Sequence, residues 1–256
     1  MPYGICNLNS IALRILPQDS SEMVSQILFG EMFEILVTEK NWLKVRLCFD
    51  NYEGWIDKKQ QTTLSYENYN ILKTQKTSFF SDLVNVVSNS FNDLYTITLG
   101  AELPLFKNNK THLDNFKFHY EGSVQKGFLD KSNLIKNAYM YLNAPYLWGG
   151  KTPLGIDCSG FTQMVYKLNG YKLLRDASQQ ATQGIPLSFI EESVPGDLAF
   201  FDDDDGQIIH VGIILANHKI IHAHGKVRID KLDHSGIYNV DTKRHTHKLR
   251  VIKKII

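Results

Sequence analysis

The chain has 256 residues, 43% of them apolar, which is longer than one typical domain and enough to bury more than one core. Its 28 Lys and Arg stand against 27 Asp and Glu, a net charge of +1, so it offers neither a basic field for nucleic acid nor a polybasic surface for anionic lipid. No apolar run approaches a membrane span, and the start Met-Pro-Tyr-Gly-Ile-Cys-Asn has no basic or apolar signal region. A cytoplasmic chain is expected, or a periplasmic or secreted one if a leader has been removed.

In chain order, residues 1–61 read as a small all-β unit. Ile11 to Ile15, Phe33 to Val37, Trp42 to Leu47 and Gly54 to Ile56 are short strand candidates between polar turns. Residues 62–126 read as further strands, at Phe79 to Val87, Leu94 to Leu99, Leu103 to Phe106 and Lys117 to Glu121, with turns at Asn89 to Asn92 and Asn108 to Lys110. From Lys131 to Asn143 the spacing is helical, with Ser132 as N-cap and Leu134, Ala138, Tyr139 and Leu142 on one face. The glycines and proline between Pro145 and Asp157 then force a loop, after which Phe161, Val165 and Leu168 recur at helical spacing.

Cys158 therefore opens a helix, where unpaired N–H groups and the helix dipole favour a thiolate. Ser159 and Gly160 beside it leave room for a substrate. Asp176 caps a second short helix, and Pro195-Gly196-Asp197 turns the chain into the strand Leu198 to Phe201. The acidic run Asp202 to Asp205, ending in Gly206, lacks EF-hand spacing and reads as a solvated turn. Residues 205–215 form an apolar, β-branched strand with His210 in its middle, and Lys219 to Ala223 is the next strand of a hairpin, carrying His222. His245 and His247 fall in a polar C-terminal stretch expected to face solvent. Cys48, Cys6 and Cys158 are odd in number and widely spaced, as for reduced thiols. A helix-terminal cysteine with two histidines on neighbouring strands supplies a nucleophile, a general base and a group that orients the base. No paired Cys-x-x-Cys or His-x-x-x-His spacing supports a metal, and the chemistry needs no cofactor.

The Tyr146-Leu147-Trp148-Gly149-Gly150 run, Asp157-Cys158-Ser159-Gly160, Pro195-Gly196-Asp197-Leu198 and His210-Val211-Gly212, in this order, resemble the NlpC/P60 cysteine peptidases. Arg175-Asp176-Ala177-Ser178-Gln179-Gln180 and Val227-Arg228-Ile229-Asp230 are most similar to the γ-D-glutamyl-L-diamino acid endopeptidases, also called dipeptidyl-peptidase VI. Stretches such as Ala12-Leu13-Arg14, Gln26 to Glu31 and Tyr52-Glu53-Gly54-Trp55-Ile56 resemble a bacterial SH3 domain.

The resemblance implies an α+β, papain-like catalytic domain at 127–256, preceded by two small SH3-like β-barrels at 1–61 and 62–126. It implies Cys158, His210 and His222 as catalytic residues, with His224 in place of the small residue common two positions after the third member, and Tyr146 as an oxyanion donor. Asp176 and Ser178 would hold the free amine of an N-terminal L-alanine, with Asp157 and Ser159 nearby and Glu53 or Tyr52 narrowing the cleft. The expected substrate is a murein tripeptide or tetrapeptide, with lysine and diaminopimelate both open, met by a monomer during wall-peptide recycling. A secreted wall endopeptidase and an inactive wall-binding protein are the alternatives.

Overall fold

The structure is a computed structural model that describes residues 2–256. By its internal contacts the chain falls into two compact units: residues up to Phe128 together with Trp148–Pro153, and Leu129–Leu147 together with Leu154–Ile256. Among the described residues no helix is long and apolar enough to cross a membrane.

The first unit is built from antiparallel strands. Tyr3–Ile5, Ser10–Arg14, Met23–Leu28, Met32–Glu39, Trp42–Leu47, Glu53–Asp57 and Thr62–Leu64 form one seven-stranded sheet. Alternate residues such as Ile11, Leu13, Val45 and Leu47 point into its core, as a period of two requires. Beyond it lie a four-stranded and a three-stranded sheet, spanning Ser78 to Lys126. The expected single strand from Phe79 to Val87 is two, Ser78–Phe80 and Val84–Asn89. A helix the sequence reading missed, α1 (Tyr66–Thr74), is capped by the Ser65 hydroxyl accepting from the Asn68 N–H. One core cluster joins Ile5, Phe29 and Leu64 to Phe80, Phe118 and Tyr120, so residues on both sides of position 61 share an interior. Trp148–Pro153 belongs to this unit through the Trp148 indole, which donates to Glu22 at 2.6 Å, and through the buried Lys151 ammonium, 3.0 Å from Glu31.

The second unit carries three helices, α2 (Lys131–Met140), α3 (Cys158–Leu168) and α4 (Ala177–Gln180). Asp130 rather than Ser132 caps α2, its carboxylate accepting from the Asn133 N–H at 3.1 Å. Leu134, Asn137 and Ala138 are its buried residues, whereas Tyr139 and Leu142 are exposed. Seven strands follow: β1 (Ile185–Leu187), β2 (Leu198–Asp202), β3 (Ile208–Leu215), β4 (Lys219–His224), β5 (Lys226–Asp233), β6 (Gly236–Asn239) and β7 (Arg244–Lys254). Their order is β1-β7-β2-β3-β4-β5-β6, and pairing of β6 with β7 closes β2 to β7 into a six-stranded barrel. Ala216, Asn217 and His218 form the three-residue turn between β3 and β4, with Asn217 and His218 both at positive φ. Register places Phe201 opposite His210, Gly212 opposite His222, His222 opposite Arg228, and Ile237 opposite His247. Since residues two apart on a strand share a face, His210, His222, Asp230 and His247 all lie on one side of the sheet.

Candidate active site

Helix α3 starts where the sequence reading placed it. Asp157 is its N-cap, accepting from the Gly160 N–H at 2.6 Å, and Cys158 is its first residue. The Asp157 carboxylate also takes a two-pronged contact from the buried Arg175 guanidinium, whose Nη1 is 3.1 Å from Oδ1 and reaches the Ser159 hydroxyl at 2.9 Å. Asp157 and Ser159 are thus engaged in capping and in holding Arg175. The Cys158 sulfur accepts from the N–H of Val211, which seats the nucleophile at the strand position next to His210.

Burial changes the expected chemistry of this thiol. Cys158 is only 7% exposed. Desolvation and then the Asp157 charge push its pKa up to about 12, and the Val211 N–H, Arg175 and the Ser159 N–H oppose this only in part. Burial thus opposes the thiolate that the helix N-terminus favours, and a base that takes the thiol proton as the nucleophile reacts offsets that cost. Burial, together with His222, His247 and His224, holds His210 well below the ordinary imidazole value of 6.5, so the base is neutral and able to receive that proton.

His210 Nε2 lies 2.8 Å from His222 Nδ1, and His222 Nε2 lies 3.0 Å from Asp230 Oδ2. All three side chains are buried. Gly212 makes this packing possible, because a Cβ there would stand 2.9 Å from the His222 Cβ and 2.7 Å from Ile220 Cδ1. Asp230 also accepts from Arg228 Nε at 2.6 Å and from the Val240 N–H at 3.0 Å. Burial raises its pKa, but hydrogen bonds from His222, Arg228 and Val240 outweigh this and hold the carboxyl well below its usual range. A carboxylate can only accept, so the hydrogen-bonded run has one direction. His222 donates from Nε2 to Asp230, its Nδ1 accepts from His210 Nε2–H, and His210 Nδ1 is left with the lone pair a base requires.

Tyr146 is clamped beside this centre. Its N–H donates to the Gly225 carbonyl at 3.0 Å, and it bridges to Ile156, two residues before Cys158. Burial, then the proximity of Cys158 and Asp157, raises the pKa of its phenol, which stays a donor. Asp176 precedes α4 with its N–H donating to Gln179 Oε1 at 3.1 Å, and Ser178 is exposed on that helix. In the first unit, Glu53 is ion-paired with Arg46 at 2.7 Å and with Lys44 at 3.1 Å, and Tyr52 packs on the first core. The structure thus brings Cys158, His210, His222 and Tyr146 into one neighbourhood, and His222 rather than His224 meets His210 by hydrogen bond.

Two residues at the centre escaped the sequence reading. Asp230 enters the sequence reading only within the Val227-Arg228-Ile229-Asp230 motif, although an acid two places after Arg228 and two before Leu232 on an alternating strand is a usable signal. His247, expected in solvent, lies half-buried on β7 with its ring over His210. Its neighbour in that stretch, His245, does lie on the exposed surface, where it pairs with Asp233 at 2.9 Å.

Comparison with known proteins agrees with this architecture. The profile of the NlpC/P60 family matches residues 143–246, and that of the bacterial dipeptidyl-peptidase Sh3 domain matches residues 13–60. A γ-D-glutamyl-L-lysine dipeptidyl-peptidase of Bacillus subtilis is 30% identical over 217 residues, 78% of this chain and 71% of that protein. Dipeptidyl-peptidase 6 of Lysinibacillus sphaericus is 30% identical over 247 residues, 85% of this chain and 87% of that protein. The crystal structure of an NlpC/P60 family protein from Bacillus cereus, 19% identical, has the same fold across 99% of both chains, with a TM-score of 0.83. With a helix-terminal cysteine set against a histidine pair and relatives that match along most of its length, the chain belongs to the NlpC/P60 family of cysteine peptidases and carries a bacterial SH3 domain ahead of its catalytic domain.

Proposed function

We propose that this protein hydrolyses the bond between γ-D-glutamate and the diamino acid of murein peptides whose N-terminal L-alanine is free, as a cytoplasmic step of wall-peptide recycling. The observation that carries this reading is the directed run Asp230–His222–His210 on the strand whose next residue, Val211, holds Cys158, in a chain with a relative of Bacillus subtilis named γ-D-glutamyl-L-lysine dipeptidyl-peptidase. Cys158 gives its proton to His210 and attacks the amide carbon. The Cys158 N–H and the Tyr146 hydroxyl donate to the oxyanion. His210 then protonates the leaving amine, and water hydrolyses the thioester. The paired sheets between Ser78 and Lys126 support reading residues 62–126 as a second, divergent SH3-like barrel, with an α+β domain after it.

Mass spectrometry of digests of L-Ala-γ-D-Glu-L-Lys and its diaminopimelate analogue tests the reading. Release of L-Ala-γ-D-Glu is expected, with lysine the preferred leaving residue. Cleavage of intact wall with neither peptide cut would move the assignment to a wall endopeptidase.

Two further results are expected. Asp176 and Ser178, at the start of α4, are the groups that would hold the substrate ammonium. A site built for a charged amine leaves its own polar groups unpaired when the amine is blocked, so the N-acetylated peptide should be cut at least ~10²-fold more slowly than the free one. Equal rates would rule out recognition of the terminus. The second concerns pH. The depressed pKa of His210 keeps the base neutral, and the enzyme active, above that pKa, and activity falls as pH drops through it. The acid limb of kcat/KM should therefore lie below pH 6.5, and a limb at or above that value would contradict a buried base.

A further inference from the structure

The last strand brings a ring to the base that no catalytic role yet covers. His247 on β7 lies nearly parallel to His210, with ring centroids 4.2 Å apart and planes inclined by 25°. Around it stand His224 at 4.9 Å and 89°, His222 at 5.8 Å and 82°, and Phe201 at 6.0 Å and 66°. Its Nδ1 is 2.8 Å from the Thr246 hydroxyl. His210 meets the remaining rings obliquely or edge-on, so His247 is the stacked partner among them.

We propose that His247 is a positioning residue for the general base: its ring, laid flat on His210, fixes the plane of that imidazole and keeps water from one of its faces. This rests on the reading of His210 as the base. A ring held at Nε2 by a hydrogen bond to His222 can still turn about that bond, and the stack removes this freedom. The cover also contributes to the desolvation that disfavours a cation on His210. The ionisable groups facing the pair are His222 and His224 from β4 and Asp230 from β5. Burial first, then His222 and His224, lower the pKa of His247 to about 4 against the opposing pull of Asp230. It is therefore uncharged wherever the enzyme works above that pH, and it acts by shape rather than by charge.

The test compares His247→Phe, His247→Leu and His247→Ala in the full chain. The pH profile of kcat/KM on L-Ala-γ-D-Glu-L-Lys is measured together with the pH profile of iodoacetamide alkylation at Cys158, read by peptide mapping. Phenylalanine keeps a stacked ring and should stay within about 3-fold of wild type with its acid limb unmoved. Alanine should lose about 10- to 100-fold in kcat/KM, and water reaching His210 should raise the acid limb toward 6.5 in both profiles, a shift that a general loss of stability does not produce. Leucine, which fills the volume but cannot stack, should fall short of phenylalanine in rate. An alanine variant with wild-type rate and limb overturns the proposal, as does a phenylalanine variant no better than leucine, which decides the matter if the alanine variant does not fold. Alkylation needs no peptide, so failure of the wild type to cut the substrate would count against the proposed function while the base's positioning is still read at Cys158.

Discussion

Cys158→Ala is expected to leave a folded chain whose peptide hydrolysis is at least ~10⁵-fold slower, at the limit of detection. Alanine fits where the buried cysteine sits, and the cap that starts α3 comes from the Asp157 carboxylate, which the substitution does not touch. The lost sulfur has no substitute. The other two thiols, Cys6 and Cys48, lie in the first unit, where burial raises both their pKa values, that of Cys48 to about 11. Circular dichroism together with product release from L-Ala-γ-D-Glu-L-Lys checks both halves of the expectation, and an alanine variant that still turns over would end the nucleophile assignment.

Asp230→Asn should cost about 10³-fold in kcat while leaving substrate affinity nearly unchanged. Asparagine has almost the same shape, but its amide can donate to His222 Nε2 where the carboxylate accepted. His222 would then carry its proton on Nδ1 and donate to His210 Nε2, so the proton of His210 would move to Nδ1 and occupy the lone pair meant for the thiol. A wrong tautomer in an intact frame is known to cost up to about 10⁴-fold in triad hydrolases. In the same assay His210→Ala should be worse than His222→Ala, because the first removes proton transfer and the second removes only its orientation. His224, which meets His210 only as a ring edge 6.5 Å away, should matter less than His222. Kinetics of the four variants side by side would expose a wrong order, and an Asp230→Asn enzyme of normal kcat would show that the run has no set direction.

The nucleophile and both histidines were legible because their signals are local. A Gly- and Pro-rich loop ends at Asp157, and two apolar runs around His210 and His222 sit on either side of an Asn-containing turn. Asp230 and His247 were not legible, since each reaches the centre through strand pairing: Asp230 by the register of β4 with β5, and His247 by the closure of β7 against β2 and β6. Cys158 shows the same division: a helix N-terminus is visible in sequence, whereas the burial that opposes its effect on the thiol is not. Helix α1 escaped notice because only Tyr69 and Leu72 of its nine residues are buried, too short a stripe to stand out among polar neighbours.

The register of the β3–β4–β5 meander has an evolutionary consequence. His222 follows His210 by 12 residues and Asp230 follows His222 by 8, and each pair meets only because the strands are joined by short turns, Ala216-Asn217-His218 and Gly225. One inserted or deleted residue in either turn would carry the next ring or carboxylate to the opposite face. The outer positions Val211, Ile213, Ile221, Ala223 and Val227 are buried too, so they admit exchange among apolar residues, but changes of length are admitted nowhere in the meander. Lineages descended from this chain that remain active should therefore swap apolar residues across this stretch while keeping both spacings fixed.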